Sequence, residues 1–224
     1  MDEPRRKAAH EAELASKKAD LVQSKLTAKH FEVRDQAKGV VVIATGDGRI
    51  VSIEISEQAL MYPEALSNAV TSAVNRARSK AKVISEKYWS TVFPDWPTDR
   101  EIEALLPTGE TAAMDAVDYS GSTEVRNSIA AGMERLAVIR EIKERLRIRA
   151  ISQPIGRDLG TVQLNLSDTV TKISISGGVS GTTSATQLSA QIVLALRDAQ
   201  VRADSERRRV FQGISDAVIN RDNE

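Results

Sequence analysis

Apolar positions along the chain follow two periods, one helical and one extended, and the same succession of the two occurs twice. From about Lys7 to His30, Ala12, Ala15, Ala19, Val22 and Leu26 recur at intervals of three and four, which predicts a helix with a thin, alanine-rich stripe. Lys17, Lys18 and Lys25 fall on its other faces. Phe31 to Arg34 reads as an edge strand. In GVVVIATGDGRIVSIEI, Val41 and Ile43, then Val51, Ile53 and Ile55, are two residues apart, and TGDGR between them holds the Asp and Gly of a tight turn. The expectation is an antiparallel hairpin with those five side chains on one apolar face. Pro63 suits the first turn of a following helix, on which Leu66, Val70, Ala73, Ala77, Ala81, Ile84 and Tyr88 form one stripe.

A connector with Phe93, Pro94, Trp96 and Pro97 comes next, then TDRE, a capping-box pattern that opens a short helix to about Leu106. Its aromatic residues are expected to tuck against a domain rather than stack on bases. From Ser122 the pattern restarts. Ile129, Met133, Leu136, Ile139 and Leu146 mark a helix, Arg147 to Ser152 a strand, and Gly160 to Ser176 a hairpin in which Val162 and Leu164 face Ile173 and Ile175. SATQ offers a capping box for a last helix, from about Thr186 to Gln212. A shift of 122 residues superposes Leu66 on Leu188, Ser67 on Ser189, Val70 on Ile192, Ala73 on Ala195, Ala77 on Ala199 and Ala81 on Ala203. We read this as an internal duplication of an α-β-β-β-α unit. The expected organisation is an α+β chain: a first unit at 1–93, an acidic linker with a short helix at 94–121, and a second unit at 122–224. A three-stranded sheet has exposed edges and little interior, so the halves are expected to pair as an intramolecular pseudo-dimer with long projecting helices. Ala73, Ala77, Ala81, Ala195, Ala199 and Ala203 are the expected contact seams.

Composition narrows the chemistry. The chain of 224 residues has no cysteine, which removes disulfides, thiolate metal sites and a cysteine nucleophile. The first twenty residues lack the apolar core of a signal peptide, and no stretch approaches the roughly 20 apolar residues of a membrane span, so the expectation is a soluble cytoplasmic protein. His10 and His30, twenty residues apart without accompanying carboxylates, do not make a zinc site or a triad. GGVSGTTS at 177–184 precedes a helix but lacks the lysine of a phosphate-binding loop, and it reads as an ordinary strand-to-helix connection. Asp47 and Asp168 read as turn formers. No enzyme and no cofactor is expected. The 31 basic and 31 acidic side chains balance, but unevenly along the chain: 15 and 12 before residue 94, 1 and 7 in the connector, 15 and 12 after it. Two mildly basic units thus flank an acidic joint.

The element order, with GVVVIATGDGRIVSIEI followed by PEALSNAVTSAVNRA, resembles the YbaB/EbfC family of nucleoid-associated DNA-binding proteins, over about 8–92 and more loosely over 122–212. Leu166, Ser167 and Asp168 depart from it by replacing the glycine-bearing turn. The resemblance implies dimers with paired helices that project like tweezers, duplex DNA as partner, the nucleoid as location and no enzymatic activity. The DNA-contacting candidates are then Arg5, Arg6 and Lys7, Lys17, Lys18 and Lys25, Arg76 and Lys80 with Arg78 and Lys82, and Arg207, Arg208 and Arg209. Such cations suit phosphates without reading bases. The competing readings are that these are solvated faces, and that the chain is a protein-binding adaptor or chaperone, since the family includes members associated with type VII secretion. Monomeric pseudo-dimer and homo-oligomer both remain open.

Overall fold

A computed structural model describes residues 3–35, 38–94, 141–179 and 183–221. Helix α1 (Glu3–Ala28) leads into strands β1 (His30–Asp35), β2 (Val40–Thr45) and β3 (Ile50–Ile55), a 3-10 turn (Glu57–Met61) and helix α2 (Pro63–Val92). After the connector, helix α3 over 141–148 precedes β4 (Ala150–Ile155), β5 (Gly160–Asn165), β6 (Val170–Ile175) and helix α4 (Ala185–Arg221). The sheets are separate, antiparallel and three-stranded, in the orders β1-β2-β3 and β4-β5-β6. Their ladders correspond at a shift of 120 residues, with His30 opposite Thr45 in one and Ala150 opposite Asn165 in the other. Both carry a register break at the same place, after Ile43 and after Gln163.

Local chemistry explains the boundaries. Pro63 opens α2, where its missing N–H leaves no bond unmade. The Ser184 hydroxyl accepts the Gln187 N–H (3.2 Å) while the Gln187 side chain accepts the Ser184 N–H (3.3 Å), the capping box expected at α4. At the first turn Gly48 has φ +86°, and its counterpart in the second turn is Asp168 at φ +63°. The left-handed residue is thus retained without glycine. Asn165 supports that turn by accepting the N–H groups of Ser167 and Thr169.

Four expectations need correction. The buried face of β2 is Val40, Val42 and Ala44, not Val41 and Ile43. V-V-V-I-A is apolar at every position, so its alternation does not choose a face. Pairing does: Val42 lies opposite Ile53, whereas Val41 and Ile43 lie opposite Glu54 and Ser52. The register break leaves Val51 unpaired and 47% exposed, against its expected place on the inner face. The strand expected at 147–152 is shifted, because α3 runs to 148 and β4 occupies Ala150–Ile155, with Pro154 tolerated on an edge strand. Helix α4 continues past Gln212 to Arg221. The second hairpin is as expected, with Val162, Leu164, Ile173 and Ile175 buried. The connector's Trp96, Pro97 and TDRE helix, and Ile129 to Ile139, lie outside the described residues.

Buried residues of the two halves form one contiguous core, including Val42, Leu66 and Val70 from the first and Leu164, Leu188 and Ile192 from the second. Helix α2 covers β1 and β2 of its own sheet and β6 of the other; α4 covers β4 and β5 of its own sheet and β3 of the other. Ala73, Ala77, Ala81, Ala195, Ala199 and Ala203 are all buried on these faces, where the missing bulk lets helix backbone come close to strands.

The seam between α2 and β6 is closed by side chains. The Ser67 hydroxyl accepts the Ile175 N–H (3.0 Å) and donates to the Pro63 carbonyl (2.7 Å). Thr71 repeats this, accepting from Ile173 (3.0 Å) and donating to the Ser67 carbonyl (2.7 Å). Asn75 holds both backbone groups of Val170, at 2.7 and 3.0 Å, and Arg78 donates to the Asp168 carbonyl. An outer strand edge that water would otherwise solvate is thereby satisfied by one helix face. Asn75→Ala is expected to lower stability by about 1–3 kcal/mol, since it strands a donor and an acceptor at once. Arg197→Ala, at the matching exposed position of α4, is expected to stay within about 0.5 kcal/mol. Urea midpoints at constant slope check both.

Candidate nucleic-acid interface

Among the described side chains of α1, only Val22 and Leu26 are buried, both near its carboxyl end. That end is fastened to the first hairpin. Gly46 donates its N–H to the carbonyls of Leu26 (2.9 Å) and Lys29 (2.7 Å), and Gln23 and Thr27 donate to Asp47 (3.3 Å each). A Cβ on Gly46 would lie 2.8 Å from the Leu26 carbonyl oxygen, so only glycine allows this approach. Side chains of α1 from Ala12 to Lys18 are exposed, and the helix extends beyond its anchor as an arm.

Helical geometry sorts the cations on this arm. Lys7, Lys18 and Lys25 are separated by 11 and 7 residues, so they fall within about 20° of one line along the helix and span roughly 27 Å. All three are exposed, and none has a carboxylate partner among the described residues. Lys17 lies on another face and pairs with Glu13 (2.7 Å). On α2, Arg76, Lys80 and Lys87 share a second stripe within about 40°. Lys80 sits over the Phe31 ring at 5.1 Å, Arg76 donates to the Arg34 carbonyl at 3.3 Å, and Lys29 at the end of α1 lies 5.4 Å from the Tyr88 ring centre. Arg76 and Lys80 of α2 therefore lie beside β1. Arg34 and Glu32 on that edge pair with each other, and the guanidinium holds the Glu32 carboxyl below the usual carboxylate range. Lys29 and Lys87 are not among the candidates read from sequence, although the spacing of seven from Lys80 marks Lys87.

Other candidates are committed internally. Arg78 is turned into the seam between the halves, donating to the Asp168 carbonyl and to Gln200 (2.9 Å). Burial pushes its pKa down from the ordinary arginine value, Asp168 opposes this, and neighbouring Arg207 adds to it. Its Nε has no hydrogen-bond partner. Arg207 forms a fork with Asp168 at 2.5 and 2.9 Å and also bonds Asp204. Lys82 lies 3.9 Å from Glu86, and Arg209 2.7 Å from Glu206. Arg208 is exposed. The side chains of Arg5 and Arg6 lie outside the description. The space of about 680 Å³ between the two hairpin tips is bordered by Asp47, Glu86 and Asp168 against Arg78 and Lys82, so its charge does not favour an anion.

Asp47 and Asp168 both stand in turns, as expected, and His30 is an exposed residue whose ring lies 3.1 Å from the Ala28 carbonyl. Among the described residues no group of three or more histidines or acids is placed to hold a metal, and no helix is long and apolar enough to cross a membrane. Arg78→Met is expected to cost about 2 kcal/mol or more, because it leaves Gln200 and the Asp168 carbonyl without their donor. Lys80→Met, which loses only the contact with the Phe31 ring, is expected to cost no more than about 1 kcal/mol; thermal unfolding of the two variants separates the seam cation from the surface one.

No curated protein and no solved structure matches the chain. Residues 5–93, which hold α1, the first sheet and α2, match the YbaB/EbfC DNA-binding family.

Proposed function

We propose that the chain is a nucleoid-associated protein of the bacterial cytoplasm that binds duplex DNA with low sequence specificity, through phosphate contacts made by the α1 arm and the outer face of α2. The observation that carries this reading is the coincidence of the family match at 5–93 with the exposed lysine stripe of α1. Lysines on an exposed helix supply point charges that displace counterions and leave base edges unread. Lys7, Lys18 and Lys25 form the first contact line; Arg76, Lys80 and Lys87 form the second. Lys17 and Arg208 add charge at the margins, and Arg5 and Arg6 extend the α1 cluster.

The second half is proposed to be a diverged copy of the first. Equal strand order, ladders offset by 120 residues, matching register breaks and a left-handed residue at the same turn position all support a duplication. The exchange of helices across sheets supports a pseudo-dimer held within one polypeptide. In that arrangement the second copy contributes chiefly structure, since Arg145, Arg147, Arg149, Arg207 and Arg209 are paired with carboxylates.

The test is a salt titration of binding to several unrelated duplexes. Affinity is expected to fall steeply with salt and to differ little among sequences. Replacement of Lys7, Lys18 and Lys25 by Gln is expected to weaken binding to all duplexes alike and to flatten the log–log salt slope by about 0.9 for each phosphate that is no longer neutralised. Absence of duplex binding by the parent chain, or a flat salt response, overturns the reading.

A further inference from the structure

The cations on the α1 arm are interleaved with leucine. Leu14, Lys18, Leu21 and Lys25 fall within about 60° of one another around the helix, and Leu14 and Leu21 are 45% and 54% exposed. The anchoring side chains Val22 and Leu26 point about 100° or more away from Leu21, so the two leucines take no part in the fastening to the first hairpin. Lys17, Ser24 and Ala28 widen the same face, and all three are exposed. Asp20 is the one acid between Leu14 and Ala28, and it lies on another side. Phosphates give the cations of this face a partner and the leucines none.

The chain carries the complement in the segment that follows α2. Residues 94–121 hold seven acids and one base, and within them DREIEALL sets Asp99, Glu101 and Glu103 among Ile102, Leu105 and Leu106. Reach is no obstacle. Helix α1 packs on α2, and the chain from Pro94 to Asp99 can extend about 17 Å, enough to pass around a helix about 10–12 Å across. A contact with a dissociation constant of about a millimolar would go unseen between separate chains, but a short tether supplies an effective concentration of that order or above. A second copy is a poorer occupant, because it sets lysine against lysine.

We infer that residues 99–106 dock on this face of α1, with Ile102, Leu105 and Leu106 against Leu14 and Leu21 and the acids beside Lys18 and Lys25. The docked segment occupies cations assigned above to duplex phosphates, so the connector is an intramolecular competitor of DNA. The docking stands apart from DNA binding, whereas the competition rests on that reading.

Acylation of lysines by N-hydroxysuccinimidyl acetate, followed residue by residue by mass spectrometry on the nuclease-treated full chain, tests the docking without DNA. Lys18 and Lys25 are expected to react about threefold or more slower in the parent than in two variants that keep every charge. One is Leu14→Ser with Leu21→Ser, both exposed positions; the other is Ile102→Ser with Leu105→Ser and Leu106→Ser. Lys172, exposed on β6 of the other half, is expected to react alike in all three chains. Both variants are then expected to bind duplex DNA about threefold more tightly than the parent. Equal acylation of Lys18 and Lys25 in parent and variants overturns the docking, as does protection that rises with protein concentration, which assigns the face to a second copy. Protection lost in the variants without a gain in duplex affinity overturns the competition. Absence of duplex binding by all three chains overturns the DNA reading and the competition with it, the docking being decided by acylation alone.

Discussion

A sheet of three strands leaves its outer backbone groups without partners, and in this molecule that problem is resolved across the two halves. Ser67, Thr71 and Asn75, four residues apart on α2, present oxygens at a rise of about 6 Å per step, close to the spacing of alternate residues on the strand they serve. A helix and a strand thus share a repeat, which is why one helix face can satisfy consecutive outward N–H groups of β6. The hydroxyls of Ser67 and Thr71 are held by their own i−4 carbonyls, so their acceptor lone pairs are aimed before the strand arrives. Close approach follows from the alanines beside them. The shared core depends on this seam, because without it α2 would cover only its own sheet.

Charge has been divided between the halves along the same lines. In the second half guanidinium groups meet carboxylates, and the fork from Arg207 to Asp168 stabilises a left-handed residue that lacks the freedom of glycine. In the first half glycine fills that turn position, Arg49 pairs with Asp47 in the same turn, and Lys7, Lys18 and Lys25 are left facing water. The family match over residues 5–93 falls on the half that carries the exposed lysine line of α1.

Much of this architecture is legible in the amino-acid sequence, and the reasons for the failures are specific. Helix stripes are readable because Ala, Val and Leu at steps of three and four have no extended alternative. The second hairpin is readable because polar residues alternate with Val162 and Leu164; the first misleads because Val40 to Ala44 is apolar throughout, and only pairing with β3 decides between its faces. The basic residues are visible but their fates are not. Arg78 and Lys80 are two apart on one helix, yet one is drawn into the seam and the other lies over Phe31. Helix phase distinguishes them only once the buried stripe is known. The bonds that join α2 to β6 have no sequence signature, since they pair side chains with backbone about a hundred residues away.

The fastening at Gly46 has a mechanical consequence. With the last buried contacts of α1 at Val22 and Leu26, the segment from Lys7 to Val22 behaves as a cantilever about 22 Å long, with its fulcrum at the hairpin tip. A tilt of a few degrees at that fulcrum sweeps Lys7 through more than an ångström while Lys25 hardly moves. The near end of the lysine line is therefore stiff and the far end compliant, and the line can bend without any change in the core.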